Sequence, residues 1–311
     1  HMSITSFSGQ LAQFGPGVGN RAPSLSAARE YCRRLARSHY ENFTVASWLL
    51  PAELRPHFYH IYAYCRWSDD LADETAGGAE SLELLDWWQS QLDDCYRGMA
   101  THPVFVALRP TIEEFEIPID PFRDLLTAFR QDQNCKRYET FNQLLDYCRN
   151  SANPVGRLVL YLARCHDEQR GLSADSICTG LQLANFWQDV ARDYELGRIY
   201  LPEDSCRKAG YDESMFAAHQ FNKEFRQLLK SEVDRAEAYL LRGTPLVALV
   251  PASIRLDVRL FIDGGLAILN AIRRIDYDVW RTRPVVGKWE KIRLLAKAWW
   301  RSRDARSEGR L

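Results

Sequence analysis

The 311-residue chain lacks several patterns on which common functions depend. Its 40 basic and 41 acidic residues nearly cancel, so no basic surface for nucleic acid is predicted. Neither a G-x-G-x-x-G pattern nor a P-loop is present, which disfavours a nucleotide-binding sheet. No apolar run reaches about eighteen residues, and the start shows no basic n-region followed by an apolar stretch, so neither a spanning helix nor a secretion signal is predicted.

The cysteines also lack a pattern. Eight are scattered without a C-x-x-C pair or a Cys/His cluster at zinc spacing. A disulfide framework and a structural zinc site are therefore not indicated. The composition fits a reducing compartment, and we expect the protein in the cytoplasm.

The organisation of the chain is that of a helical protein. His1 and Met2 resemble an expression scar, and residues 1–25 are rich in Gly, Ser and Pro, which predicts a loose arm. Ser24 or Ser26 can cap the first helix. Apolar residues at three- and four-residue spacing, broken by Pro and Gly, predict about ten helices. Strand alternation and fixed repeats are absent, so we predict an all-α, single-domain bundle over residues 26–311.

A first acidic helix face is centred on Asp69. Arg66, Asp69 and Asp73 follow one another at spacings of three and four residues, and Asp70 and Glu74 form a neighbouring pair. Like charges one turn apart weaken an isolated helix. So dense a cluster therefore indicates either a solvated face or a cation site, and by itself it favours the solvated face.

A second face repeats the arrangement with Asn185, Asp189 and Asp193 at successive four-residue steps, and Gln182 lies just upstream. The intervening residues are mostly apolar, so an acidic stripe on this helix is costly unless cations or hydrogen bonds satisfy it. Oxygen ligands without His or Cys favour magnesium over zinc.

The two faces can act together if their helices face each other across a cavity, which a helical bundle permits. Magnesium ions held there would bind a diphosphate, neutralise its charge and make it a leaving group. The carbocation left behind needs an apolar, aromatic pocket that excludes water.

At these residues the chain resembles the squalene/phytoene synthase family, from about Ser26 to Trp300. Within it the closer match is to hydroxysqualene synthases of the HpnC type of hopanoid biosynthesis. The segments that carry the match are His39–Pro51, Asp69–Glu74, Asn153–Gly156, Asn185–Asp193, Gly197–Pro202 and Arg283–Lys288. The resemblance implies a class I isoprenoid synthase fold with a central active-site cavity.

The resemblance also implies roles for individual residues. The ligands of two or three Mg²⁺ ions would be Asp69, Asp73, Asn185, Asp189 and Asp193, supported by Gln182. Around the diphosphate it places His39, Tyr62, Arg66, Arg198 and the catalytic Tyr200, and beside the reacting carbons it places Phe43. Without the family, His39 is read as a buried histidine, Tyr62 and Phe43 as core aromatics, and Arg198 as a helix-end charge.

The implied reaction converts presqualene diphosphate and water to hydroxysqualene and diphosphate, in squalene and hopanoid biosynthesis. No NADPH is expected, and a presqualene diphosphate synthase would supply the substrate. Complete synthases of the family carry tyrosines where this chain has Asn153 and Gly265. Asn153 would hold a water near the cation and the space at Gly265 would admit it. Alternatively, Asn153 begins a turn before Pro154, and Gly265 lets two helices approach closely.

Two other functions remain open from the sequence. One is a head-to-head synthase that condenses two farnesyl diphosphates to presqualene diphosphate, squalene or a C30 carotenoid precursor. The other is a non-catalytic helical subunit whose acidic faces are only surface charge.

The segment Lys288–Arg303 is basic and amphipathic, with Trp289 and Trp299 on one side. Such a helix packs on its own bundle or rests on a membrane surface, and both interpretations stay open.

Overall fold

The computed structural model describes residues 6–19, 21–38 and 50–286. Over these ranges it contains fifteen helices and no strand, with one isolated bridge between Arg137 and Ile199. The predicted all-α class is confirmed. Eleven of these helices have eight residues or more, close to the number expected, and the other four are short turns of helix.

The described residues fall into two compact units. The first extends up to Asn134 and includes Leu158–His166, and the second comprises Cys135–Arg157 and the residues from Asp167 onward. The predicted single domain therefore stays a prediction. The helices of the first unit are α1 Phe7–Phe14, α2 Leu25–Ser38, α3 Arg55–Asp73, α4 Gly78–Arg97, α5 Pro103–Phe115 and α6 Asp120–Asn134.

The second unit is built on one long helix. Its helices are α7 Phe141–Ser151, α9 Glu168–Gln188, α10 Val190–Glu195, α11 Glu203–Ala209, α12 Glu213–Ala217, α13 Lys223–Arg242, α14 Leu246–Leu249 and α15 Ala252–Arg274. Helix α9 packs against α13 and α15. Helix α8, Asn153–Leu162, contributes its first five residues to this unit and the rest to the first unit.

The prediction of a loose arm over residues 1–25 is wrong for the segment that forms α1. Phe7 is buried and packs edge-on against Trp67, with ring centroids 5.1 Å apart, and Phe14 packs in the same way on Tyr31 at 5.4 Å. The burial of Phe7 and the ring contact of the half-buried Phe14 outweigh the local glycine and serine content. The cap prediction is confirmed for Ser24, whose hydroxyl accepts from the backbone N–H of Ala27.

In the first unit, helix α3 is held by a buried aromatic face. Tyr64, Trp67 and Leu71 are fully buried on it, and Trp67 stacks on Trp88 of α4 at 5.2 Å between centroids. The indole N–H of Trp88 donates to the Ser68 hydroxyl at 3.0 Å. Because one face of α3 is committed to this cluster, the rotation of the helix about its own axis is set.

In the second unit, two glycines permit close helix packing. A methyl group built at Gly180 of α9 would lie 2.7 Å from Leu240 Cγ and 2.9 Å from the Leu240 backbone nitrogen of α13. At Gly265 of α15 it would lie 2.8 Å from a Leu240 methyl group and 3.0 Å from a Leu181 methyl group. The expectation that space at Gly265 admits water is wrong, and the close helix approach is confirmed.

None of the helices in the described ranges contains a segment long and apolar enough to span a membrane. All eight cysteines are free thiols. The basic segment Lys288–Arg303 lies outside the described residues.

We expect Gly180→Ala to destabilise the protein by about 1–3 kcal/mol, because the added methyl group overlaps the α13 backbone. Urea denaturation followed by circular dichroism measures this as a lower midpoint. Gly264→Ala is the matched control, since a methyl group there meets nothing within 4 Å. Its midpoint should stay level or rise slightly, because alanine favours helix. Equal midpoints for the two variants would contradict the packing at Gly180.

Candidate active site

The first acidic face points away from the aromatic core of the first unit. On α3 the Asp69 side chain is 47% exposed, and Asp73, the last residue of the helix, is exposed. Tyr62 is half-buried on the same helix one turn before Arg66, and burial raises the pKa of its hydroxyl. A neutral phenol is thereby kept as a hydrogen-bond donor beside the acids.

The four acids of this segment are not equivalent. Asp70 is buried, and its Oδ2 accepts from Arg66 Nε at 3.0 Å. A second contact joins Arg66 Nη2 and Asp70 Oδ1. Arg66 also lies 3.5 Å from Asp69 and 3.7 Å from Glu74, measured between nitrogen and oxygen atoms. The solvated face that the acidic cluster by itself favours is therefore wrong for Asp70, whereas Glu74 is 55% exposed.

The second acidic face continues across a helix break. Helix α9 ends at Gln188, yet the Asp189 N–H donates to the Asn185 carbonyl at 3.0 Å and the Asp193 N–H to the Asp189 carbonyl at 2.8 Å. These bonds keep Asn185, Asp189 and Asp193 one turn apart, as the spacing predicts. Asn185 is exposed and Gln182 is half-buried, so the stripe is less enclosed than its apolar neighbours suggest.

A distant arginine pairs with this face. Arg283 Nε donates to Asp189 Oδ1 at 2.5 Å and Arg283 Nη2 to Asp189 Oδ2 at 3.1 Å, which is a bidentate ion pair. The next residue is also held, because the Pro284 carbonyl accepts from the Gln188 amide at 2.5 Å. The sequence assigned Arg283 no role, since nothing local links it to a residue 94 positions away.

The Asp193 carboxyl is the most perturbed acid of the second face. Burial, and next the negative charge of Asp189, raise its pKa to about 7. Arg198, Arg192 and Arg283 oppose this shift without cancelling it. A positive charge placed beside this carboxyl would favour its ionised form.

Arg198 and Tyr200 are brought to Asp193 by a turn and a short pairing. Gly197 adopts a φ of +72°, a left-handed conformation that glycine tolerates, and the Arg198 N–H then donates to the Asp193 carbonyl at 2.8 Å. The Ile199 N–H donates to the Lys136 carbonyl at 2.9 Å, which anchors the segment.

A tight crevice of about 10 Å³ in the second unit brings these predicted residues together. Asp193, Arg198, Tyr200, Phe186 and Phe216 are among its lining residues. The Tyr200 ring stacks on Phe186 at 3.8 Å between centroids, which fixes the orientation of the phenol. The crevice therefore combines an acid, a guanidinium and an aromatic wall.

Asn153 lies at the start of α8 and is buried. The Thr179 hydroxyl donates to its Oδ1 at 2.9 Å. Asn153 thus begins a helix, where the simpler interpretation expected a turn before Pro154, and its amide is held by the Thr179 hydroxyl. His39 and Phe43 lie outside the described residues.

The donor set of both faces suits magnesium. Each face offers two carboxylates one helical turn apart, and the second adds the Asn185 amide oxygen. Magnesium takes few protein oxygens and keeps several waters, so such partial sets are appropriate. In the described part of the chain no group of three or more His, Cys, Asp or Glu side chains is arranged around a metal position, and the magnesium site stays a prediction.

We expect Asp193→Asn to raise stability in EDTA at about pH 8. The pKa of Asp193 is about 7 in the folded protein against 3.8 for an aspartate in water, so the folded protein retains a proton that the unfolded chain releases. The free energy of unfolding therefore falls as pH rises through this interval. The thermal midpoint of Asp193→Asn should lie above that of the wild-type protein at about pH 8. This difference between the two midpoints should shrink as the pH is lowered towards about 4.

The control is Asp146→Asn, whose carboxyl is 63% exposed in the same unit. Its midpoint should follow wild type at both pH values. A constant offset between Asp193→Asn and wild type would contradict the retained proton.

The chain is similar to known proteins over most of its length. A family model described as squalene/phytoene synthase matches residues 21–290. A phytoene synthase of Arthrospira platensis is 30% identical over 297 residues, which cover 91% of this chain and 96% of that protein.

Two solved structures resemble the chain. The squalene synthase HpnC from Alicyclobacillus acidocaldarius is 45% identical, with a TM-score of 0.79 over 81% of this chain and 95% of that one. A dehydrosqualene synthase crystallised with a ligand is 26% identical, with a TM-score of 0.80 over 90% and 98%. The predicted family is confirmed: the chain belongs to the squalene/phytoene synthase family of isoprenoid synthases.

Proposed function

We propose that this protein is a hydroxysqualene synthase, which converts presqualene diphosphate and water to hydroxysqualene and diphosphate. The observation that carries the proposal is that each unit presents a pair of helical carboxylates beside an arginine, Arg66 in the first and Arg283 in the second. Carboxylates that can hold a cation, together with an arginine that binds phosphate, are the groups needed to bind and release a diphosphate. The 45% identity to the squalene synthase HpnC supports the squalene direction.

The chain's own residues would act as follows. Asp69 and Asp73 in the first unit, and Asn185, Asp189 and Asp193 in the second, would hold Mg²⁺. When bound, the metal supplies Lewis-acid stabilisation of the charge that develops on the departing diphosphate. Arg66 and Arg198 donate hydrogen bonds to phosphate oxygens, and the neutral hydroxyls of Tyr62 and Tyr200 add donors without adding charge.

Asn153 would position the water. Because Thr179 occupies its Oδ1, the amide offers its Nδ2 as a donor to a water oxygen. An amide nitrogen is not basic, so Asn153 cannot remove a proton as a tyrosinate would. This favours capture of a cation over the proton removal that cyclopropane formation needs. His39 and Phe43 complete the proposed set, as the family resemblance implies.

The alternative is a head-to-head synthase acting on two farnesyl diphosphates. The identity to a phytoene synthase and to a dehydrosqualene synthase favours it, because both names denote products of complete condensation. The same acidic faces and arginines serve either reaction, so the substrate decides between them.

We expect Asp69→Ala, Asp73→Ala, Asp189→Ala and Asp193→Ala each to lower magnesium-dependent diphosphate release by about a thousandfold or more, since a metal ligand is lost where the leaving group departs. A coupled diphosphate assay with titrated Mg²⁺ measures this. Asp86→Ala and Asp146→Ala, whose side chains are 71% and 63% exposed, serve as controls and should retain activity. Activity that persists in two of the four variants at saturating Mg²⁺ would remove this assignment, and a wild-type protein without diphosphate release would favour a non-catalytic subunit.

We expect turnover of presqualene diphosphate without a nicotinamide cofactor, and an alcohol product that takes its oxygen from solvent. Mass spectrometry of the product formed in heavy-oxygen water tests the second point. Farnesyl diphosphate should give little or no presqualene diphosphate. If the enzyme makes presqualene diphosphate as fast as it consumes it, or if the product carries no solvent oxygen, the alternative replaces the proposal.

A further inference from the structure

Asp70 differs from the other acids of its segment by its burial. Its side chain is 4% exposed, against 47% for Asp69 and 55% for Glu74. A buried carboxylate is costly unless a partner compensates its charge. The partner is Arg66, one turn earlier on α3, which places Nε 3.0 Å from Asp70 Oδ2 and also contacts Oδ1 through Nη2.

The contact uses one defined edge of the guanidinium group. Asp70 takes the side formed by Nε and Nη2, and Nη1 lies 3.5 Å from Asp69 Oδ2. The fork of an arginine is planar, so fixing one edge fixes the direction of the remaining nitrogen. Arg66 is therefore presented beside Asp69 in a set orientation.

We propose that Asp70 is a positioning residue, which holds Arg66 so that its Nη1 meets a phosphate oxygen beside Asp69. This role rests on the proposed function, in which Arg66 binds the diphosphate. Asp70 itself touches neither substrate nor metal, because its carboxylate is buried and engaged by Arg66 through both oxygens. Its negative charge alone would repel a diphosphate, so any gain in binding that it provides must come from geometry.

Glu74 provides a matched control within the same segment. It approaches Arg66 Nη2 at 3.7 Å, yet it is exposed and no more than a loose ion pair. Asp70→Asn and Glu74→Gln therefore remove one negative charge each near the same guanidinium. Only Asp70→Asn disrupts a close contact: the new amide either turns its N–H towards an arginine N–H or offers one acceptor oxygen fewer. In both cases the Arg66 guanidinium is no longer held in place.

The test is calorimetric titration of inorganic diphosphate with Mg²⁺ into the full chain, with circular dichroism to confirm folding. We expect Asp70→Asn to weaken binding about tenfold, the loss of one charge-assisted hydrogen bond, and Glu74→Gln to change it less than about twofold. With presqualene diphosphate as substrate, Asp70→Asn should raise KM by a larger factor than it lowers kcat. In an Arg66→Gln background, Asp70→Asn should cause no further loss of affinity.

Binding by Asp70→Asn that equals or exceeds wild type would overturn the positioning role and leave the proposed function intact. Wild-type protein that does not bind diphosphate would overturn both. If Asp70→Asn does not fold, Arg66→Lys decides the matter, because it keeps both charges and loses the planar fork. Affinity equal to wild type in Arg66→Lys would overturn the role, and a loss of about tenfold would support it.

Discussion

The pairing of helix-borne carboxylates with arginines is the interaction on which the candidate site depends. Acids one turn apart repel each other, and each of the two acidic faces contains at least two of them. In the first unit Arg66 contacts three acids, and in the second Arg283 grips Asp189 through two hydrogen bonds. These ion pairs offset part of the repulsion between neighbouring acids, so both acidic faces are compatible with a folded protein.

The apolar side of each helix gives the acids their direction. Trp67 and Trp88 stack within the first unit and leave α3 no freedom to turn its acidic face inward. In the second unit, Gly180 allows the Leu240 backbone to approach α9 closely. Tight packing on one side of a helix is what makes the opposite side a defined surface. The electrostatics of the faces thus depend on contacts that involve no charge.

The chemistry follows from what these surfaces offer to an anion. Oxygen donors suit magnesium, arginine forks suit phosphate, and neutral phenols donate without raising the local charge. In the proposed reaction this combination would ionise a diphosphate ester, and the pocket around the cation would decide its fate. Relatives named for phytoene, squalene and dehydrosqualene are therefore compatible with one set of polar residues. In the proposed reaction, the buried amide of Asn153 would act on the later step.

The sequence alone determined the all-helical class, the two acidic faces and their one-turn spacing, even across the break at Asp189, because helical periodicity depends on neighbours within about one turn. The motifs of the sequence also identified the family. Only the tertiary structure decided that Asp70 is buried while the Asp69 side chain is about half-exposed, and that Gly265 is a packing contact and offers no space for water. The same holds for the ion pair that joins Arg283 to a carboxylate 94 residues away. Burial and long-range pairing depend on how helices distant in sequence pack together, and no local pattern encodes that.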